Sequence, residues 1–149
     1  SICSYNELSD TEKKLVDKAK EAALNAYSPY SHFQVGAALL LDNGEIVTGS
    51  NQENAAYPSG TCAERTALFY ANAQYPNEAV TTIAVAGYTK GDYTNECITP
   101  CGSCRQVMLE VQNRFKQPVK LILYGKKEIF LIDKVTDILP LSFGSEFLE

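Results

Sequence analysis

The sequence has no apolar run approaching the roughly 20 residues of a bilayer-spanning helix. Its longest, Val35 to Leu41, is short and holds Gly36 and two alanines. The first residues, Ser1-Ile2-Cys3-Ser4-Tyr5-Asn6-Glu7, lack the basic-then-apolar order of a secretory leader. A soluble, cytoplasmic protein without a membrane partner is therefore expected. Positive charge is also scarce: 13 Lys and Arg face 18 Asp and Glu, for a net charge of −5 and a pI near 4.9. Adjacent basic residues occur only at Lys13-Lys14 and Lys126-Lys127. Nucleic-acid affinity comes largely from neutralising phosphates, so no nucleic-acid partner is expected and a small uncharged substrate fits better. There is no internal repeat, low-complexity stretch or linker, and 149 residues suit one domain spanning 1–149. His32 is the single histidine, and nothing near it supplies a second ligand at metal spacing; a structural role is expected for it. The five cysteines are an odd number, which argues against a disulfide framework.

What is present reads as alternating helices and strands. Ser9-Asp10-Thr11-Glu12 has the form of a capping box. Leu15, Ala19, Ala22 and Ala26 then share a helical face that Tyr27-Ser28-Pro29-Tyr30 should end, because a residue before proline leaves the helical region. Asp42-Asn43-Gly44 is a hairpin signal between strands at Val35–Leu41 and Ile46–Ser50. A loop from Asn51 to Gly60 follows, then a helix over about 62–73 and a strand over Thr82–Gly87. Thr99-Pro100 ends a loop ahead of a helix over about 101–115. Strands are predicted at Val119–Tyr124 and Ile129–Leu131, and a short helix at Val135–Leu139. This order implies an α/β domain of three layers, α/β/α, around a mixed sheet of about five strands.

Chemistry concentrates in Thr61-Cys62-Ala63-Glu64-Arg65 and Pro100-Cys101-Gly102-Ser103-Cys104-Arg105. Both place cysteine at the start of a predicted helix, where the helix dipole favours thiolate. Cys101 and Cys104 lie one turn apart, so both can reach one ion. Three thiolates from Cys62, Cys101 and Cys104 would hold zinc and leave a fourth position for water, the pattern of a catalytic zinc site. Glu64 follows the first ligand by two positions and could stand beside that water without ligating metal. Three thiolates overbalance Zn²⁺ by one negative charge, which weakens its power to acidify water. Arg65 can offset this by hydrogen-bonding a thiolate; Arg105, farther into its helix, is the weaker candidate and is expected to point outward. Each fragment alone has a plainer reading. Thr61-x-x-Glu64 is itself a capping-box pattern, and Cys101-x-x-Cys104 suits a redox pair. Cys3 and Cys97 have no partner pattern.

Taken together, these segments resemble the small cytidine deaminase family, of the homotetrameric type with three cysteine ligands. The similarity spans nearly the whole chain. It includes Tyr30-Ser31-His32-Phe33 with Val35-Gly36-Ala37-Ala38, then Asn51-Gln52-Glu53-Asn54-Ala55 with Tyr57-Pro58. It continues through Cys62-Ala63-Glu64-Arg65-Thr66-Ala67 and Pro100-Cys101-Gly102-Ser103-Cys104-Arg105-Gln106, and ends at Pro140-Leu141-Ser142-Phe143-Gly144. Zinc deaminases as a class use such a metal set with a non-ligating glutamate. Gln34 stands where many relatives carry proline, which bears on loop stiffness.

The resemblance implies residue roles. Phe33 would pack on the pyrimidine and the backbone at Ala63 would read its edge. Asn51 and Glu53 would bind the ribose hydroxyls, while Ala55, Tyr57 and Phe143 would serve neighbouring sites of a homotetramer assembled at its interfaces. It implies one zinc per subunit and a nucleoside substrate. The activity implied is hydrolytic deamination of cytidine and deoxycytidine to the uridine forms, a step of pyrimidine salvage, with Glu64 carrying protons. Read alone, Asn51-x-Glu53 is a solvated loop and Phe33 a core residue. Rival functions are a nucleic-acid-editing deaminase, a deaminase of a nucleoside antibiotic, and a non-catalytic zinc-stabilised module.

Overall fold

The computed structural model describes residues 1–149. In chain order the elements are β1 (Ile2–Cys3), α1 (Asp10–Ala23), β2 (Gln34–Leu41), β3 (Ile46–Ser50), α2 (Ala63–Gln74), β4 (Val80–Thr89), β5 (Asp92–Tyr93), α3 (Gly102–Phe115), β6 (Lys120–Leu123) and β7 (Ile129–Ile132). Short 3-10 turns lie at Tyr5–Glu7, Tyr57–Ser59, Val135–Asp137 and Ser145–Leu148. No helix is long and apolar enough to cross a membrane.

The sheet runs β1-β7-β6-β4-β2-β3, with β5 folded back on β4. Every pairing is antiparallel except β4–β6, the pair that α3 connects as a crossover. The sheet is thus mixed, as expected, but it has seven strands rather than five. The two additions, β1 and β5, are two residues long, too short for alternation to register. The last predicted helix is one 3-10 turn, Val135–Asp137.

Alternation along the central strands explains the three layers. Ala38, Ala84, Ala86 and Ile122 face α1 and pack on Leu15, Val16 and Ala19. Ala37, Leu39, Ile83, Val85 and Leu121 face the other way, onto Ala67, Leu68 and Met108 of α2 and α3. Leu15, Leu39, Ile83 and Met108 are essentially sealed from solvent, each contributing about 1.5–3 kcal/mol through burial.

Helix α1 ends at Ala23, before the Tyr27–Tyr30 stop. Gln34 donates its side-chain amide to the Ala23 carbonyl at 3.0 Å, and Asn25 and Ala26 turn the chain through bonds to the carbonyls of Ala22 and Ala23. On the opposite face α2 lies unusually close to β3. A Cβ at Gly49 would come within 2.7 Å of the Ala67 nitrogen and 2.9 Å of the Ala63 carbonyl oxygen. Glycine here draws the head of α2, which carries Cys62 and Glu64, down onto the sheet.

Candidate active site and metal centre

Cys62 and Cys101 occupy equivalent places: each is the extended residue immediately before a helix, α2 and α3 respectively. The fold brings these two helix starts together. The Sγ atoms of Cys62, Cys101 and Cys104 all lie within 4.8 Å of one another, and Cys62 and Cys101 are separated by 3.8 Å. Sulfurs bound to zinc at about 2.3 Å in a tetrahedron sit roughly 3.8 Å apart, so the donor set and its spacing fit that ion. Cys101 Sγ also accepts the Cys104 backbone N–H at 3.4 Å. Cys3 and Cys97 stay outside the cluster, and all five cysteines are free thiols.

Arg65 donates from Nη2 to Cys62 Sγ at 3.4 Å, the contact expected from the charge argument. The Cys62 thiol is pushed down, first by the Cys104 thiol beside it and then by Arg65. Cys104, fully buried, is pushed up by the same thiol contact and by loss of water. Arg105 does not point outward. It donates to the Pro100 carbonyl and the Ile138 carbonyl, both at 2.8 Å, pinning the loop ahead of α3.

Glu64 does not close a capping box. The residue capping α2 is Cys62, which makes no side-chain cap, and Thr61 Oγ1 is buried without a protein partner. The Glu64 side chain is only 4% exposed and lines a cavity of about 230 Å³ with Cys62, Cys101, Phe33, Asn51 and Ile98. Burial raises its pKa to about 7. A dication alongside would act in the opposite direction.

This inner cavity lies beside a wider basin of about 500 Å³, whose walls include Tyr30, Glu53, Tyr57, Thr61 and Arg65. Asn51 borders both. Phe33 and buried Ala63 line the inner cavity. Asn51 and Glu53 are already engaged with the protein. Asn51 accepts from the Val35 N–H at 2.8 Å and donates to the Phe33 carbonyl at 2.9 Å. Glu53 accepts the N–H groups of Tyr30 and Ser31 at 2.9 and 3.1 Å and the Ser31 hydroxyl. These bonds lower the Glu53 pKa, the Ser31 hydroxyl foremost. Neither residue is a free solvated loop residue; both fix the segment that presents Phe33.

The three residues assigned to neighbouring sites, Ala55, Tyr57 and Phe143, are not brought into the inner cavity, and Glu53 and Arg65 border only the basin. Ala55 and Phe143 line neither space, and Tyr57 borders only the basin. All three are exposed, Tyr57 by 76%. His32 is exposed, apart from the cysteines. Its backbone is left-handed with φ 57°, and its carbonyl accepts from Thr89 Oγ1 at 3.0 Å. Ser31, Ile98 and Thr99 line the cavity without having been assigned roles. Ser31 had a local signal, since a Ser two residues before Phe33 can fold back on it; its oxygen does accept the Phe33 N–H at 3.1 Å.

Comparison with known proteins decides what this arrangement belongs to. The family described as "Cytidine and deoxycytidylate deaminase zinc-binding region" matches residues 9–117. The chain belongs to this family. A cytidine deaminase of Sporosarcina psychrophila is 42% identical over 137 residues, covering 91% of this chain and 93% of the relative. One from Halalkalibacterium halodurans is 46% identical over 97 residues, 65% of this chain and 69% of the relative. The crystal structure of cytidine deaminase from Burkholderia pseudomallei superposes with a TM-score of 0.74 at 38% identity, over 91% of this chain and all of that one. In this cytidine and deoxycytidylate deaminase family member, Cys62, Cys101 and Cys104 make a cluster suited to one zinc ion per subunit.

Proposed function

We infer that this chain is a zinc-dependent cytidine deaminase, a hydrolase that converts cytidine and 2′-deoxycytidine to uridine and 2′-deoxyuridine and releases ammonia. One observation carries this reading above the rest. Three thiols converge at two helix starts beside a buried carboxylate, and Cys62, Cys101 and that carboxylate border one nucleobase-sized cavity. A structural zinc site has four protein ligands; here there are three and a carboxylate.

Cys62, Cys101 and Cys104 hold the metal, and Arg65 draws negative charge off Cys62. When bound, zinc lowers the pKa of a water to near neutrality and makes hydroxide available. Glu64 does the proton work. Its carboxylate takes a proton from water and gives it to N3 of the pyrimidine as the remaining hydroxide bonds to C4; it then takes the proton left on that oxygen and delivers it to the amine on C4. The C4–N bond then breaks and ammonia leaves. Phe33 packs on the base, and the Ala63 backbone meets its edge. Asn51 and Glu53 face the ribose from the strand end and also hold the Phe33 segment. The burial of Glu64 keeps competing water from its carboxylate.

The whole of 1–149 acts as one cytoplasmic domain in pyrimidine salvage, and it works as a homotetramer. Ala55, Tyr57 and Phe143 reach neighbouring sites. Support for assembly comes from two exposed aromatic pairs, Tyr30–Tyr57 and Phe143–Phe147, because contiguous exposed apolar surface marks contact surfaces. The net charge of −5 speaks against a nucleic-acid substrate. The decisive test is a spectrophotometric assay with cytidine and deoxycytidine on zinc-loaded protein. Conversion to the uridine forms is expected. Absence of conversion, with zinc bound and the fold intact, would overturn the assignment.

A further inference from the structure

Gly87 lies in β4 directly opposite Val35 of β2, on the face that looks toward α2 and α3. A Cβ built there would come 1.7 Å from Ile98 Cδ1, 3.0 Å from Ile98 Cγ1 and 3.4 Å from Phe33 Cε1. No packed carbons approach at the first distance, since carbon contacts settle near 3.5–4.0 Å. The tip of Ile98 therefore rests in the space that a side chain at residue 87 would fill.

The segment leading to Ile98 is tied to its neighbours at Thr94 and Asn95. The Thr94 N–H donates to the Gly87 carbonyl at 3.0 Å, and Lys126 and Lys127 donate to the Thr94 and Asn95 carbonyls at 3.0 Å. Three residues later the same segment delivers Cys101. Ile98, Phe33 and Val35 form the apolar wall of the inner cavity, while Glu64, Asn51, Cys62 and Cys101 also line it.

A cytosine ring has matching halves. N3, O2 and the amine are polar, whereas C5 and C6 carry only hydrogen. Burying polar atoms against carbon is costly, so the ring places its C5–C6 edge toward the apolar wall when its amine faces Glu64. We propose that Ile98, recessed into the space left by Gly87, sets the largest substituent the base can carry at C5. This rests on the deaminase reading of the site. It makes Ile98 a specificity-determining residue, and Gly87 a positioning residue that acts through Ile98.

The test compares kcat/KM for 5-methylcytidine and cytidine in the zinc-loaded protein. Ile98→Val removes the Cδ1 carbon and should raise the 5-methylcytidine to cytidine ratio on the order of tenfold, the usual worth of one carbon in an apolar pocket. Gly87→Ala should drive Ile98 into the cavity, raising KM more than it lowers kcat and penalising the 5-methyl substrate most. Ile98→Val placed in the Gly87→Ala background should restore much of that loss, because the clashing atom is gone. Inhibition by uridine and 5-methyluridine should follow the same order, a readout that needs no turnover. An unchanged ratio in Ile98→Val alone would overturn the proposal, whatever the stability of Gly87→Ala. If wild-type protein turns over cytidine and the ratio does not move, only this proposal fails. If wild-type protein does not turn over cytidine, the deaminase reading fails and takes this one with it.

Discussion

Ser9-Asp10-Thr11-Glu12 and Thr61-Cys62-Ala63-Glu64 present the same hydroxyl-x-x-carboxylate pattern at the head of a helix, yet only the first closes a capping box. At α1, Ser9 Oγ accepts the Glu12 N–H at 3.2 Å and Glu12 accepts the Ser9 N–H at 2.9 Å. At α2 the helix starts one residue later relative to the pattern. Cys62 takes the capping position, and Glu64 falls inside the first turn. One helix start spends its hydroxyl and carboxylate on its own backbone. The other leaves Thr61 Oγ1 without a protein partner and turns its carboxylate into a cavity. A one-residue shift thus separates a stabilising cap from a reactive group. Helix α3 also has a cysteine, Cys101, at its capping position, but there the Sγ accepts the Cys104 N–H.

The contrast predicts that damage at α2 and α3 removes chemistry, whereas damage at α1 removes stability. Cys101→Ala should have the largest effect: zinc is lost on elemental analysis and turnover with it. Full zinc occupancy in that variant would remove Cys101 from the ligand set. Glu64→Gln should come next. It keeps its zinc and its melting temperature but loses turnover by at least about 10² to 10⁴-fold; wild-type rates would break the assigned role. Arg65→Ala should be milder, lowering zinc affinity about 10–100-fold as outer partners of metal ligands commonly do, measured by chelator competition.

The α1 cap should give the smallest effect, and in stability alone. Ser9→Ala is expected to cost about 1 kcal/mol in urea unfolding with kcat unchanged. Its partner Glu12 is held below the usual carboxylate range, first by Lys120 and then by the Ser9 N–H. A carboxyl whose pKa is lower folded than unfolded adds stability above its unfolded pKa and loses it as pH falls through the folded value. Glu12→Gln should therefore be less stable than wild type at neutral pH, and the gap should close in acid below the ordinary glutamate range. A gap that persists there would assign the effect to packing.

The elements that position the site were largely legible. Asn43-Gly44 marked the hairpin, and Gly44 has φ 87° as such a turn requires. Helices α2 and α3 begin where the cysteine motifs put them, because local pattern and tertiary use agree there. What stayed hidden was non-local. Strand β1 exists because Ile2 and Cys3 pair with Phe130 and Ile129, and two residues carry no periodic signal. Glu53 binds Tyr30 and Ser31 more than 20 residues away, so its motif could suggest a sugar ligand but not the loop it holds. The role of Gly87 shows only once Ile98 is seen against it. At Thr61–Glu64 the local signature pointed both ways, and the choice lay in a one-residue register that packing against β3 settles.

X-ray absorption at the zinc edge of the purified wild-type protein tests the three-thiolate centre most directly. Three sulfur neighbours at about 2.3 Å and one oxygen neighbour are expected. A zinc shell filled by four protein atoms, or active protein without zinc, would contradict it.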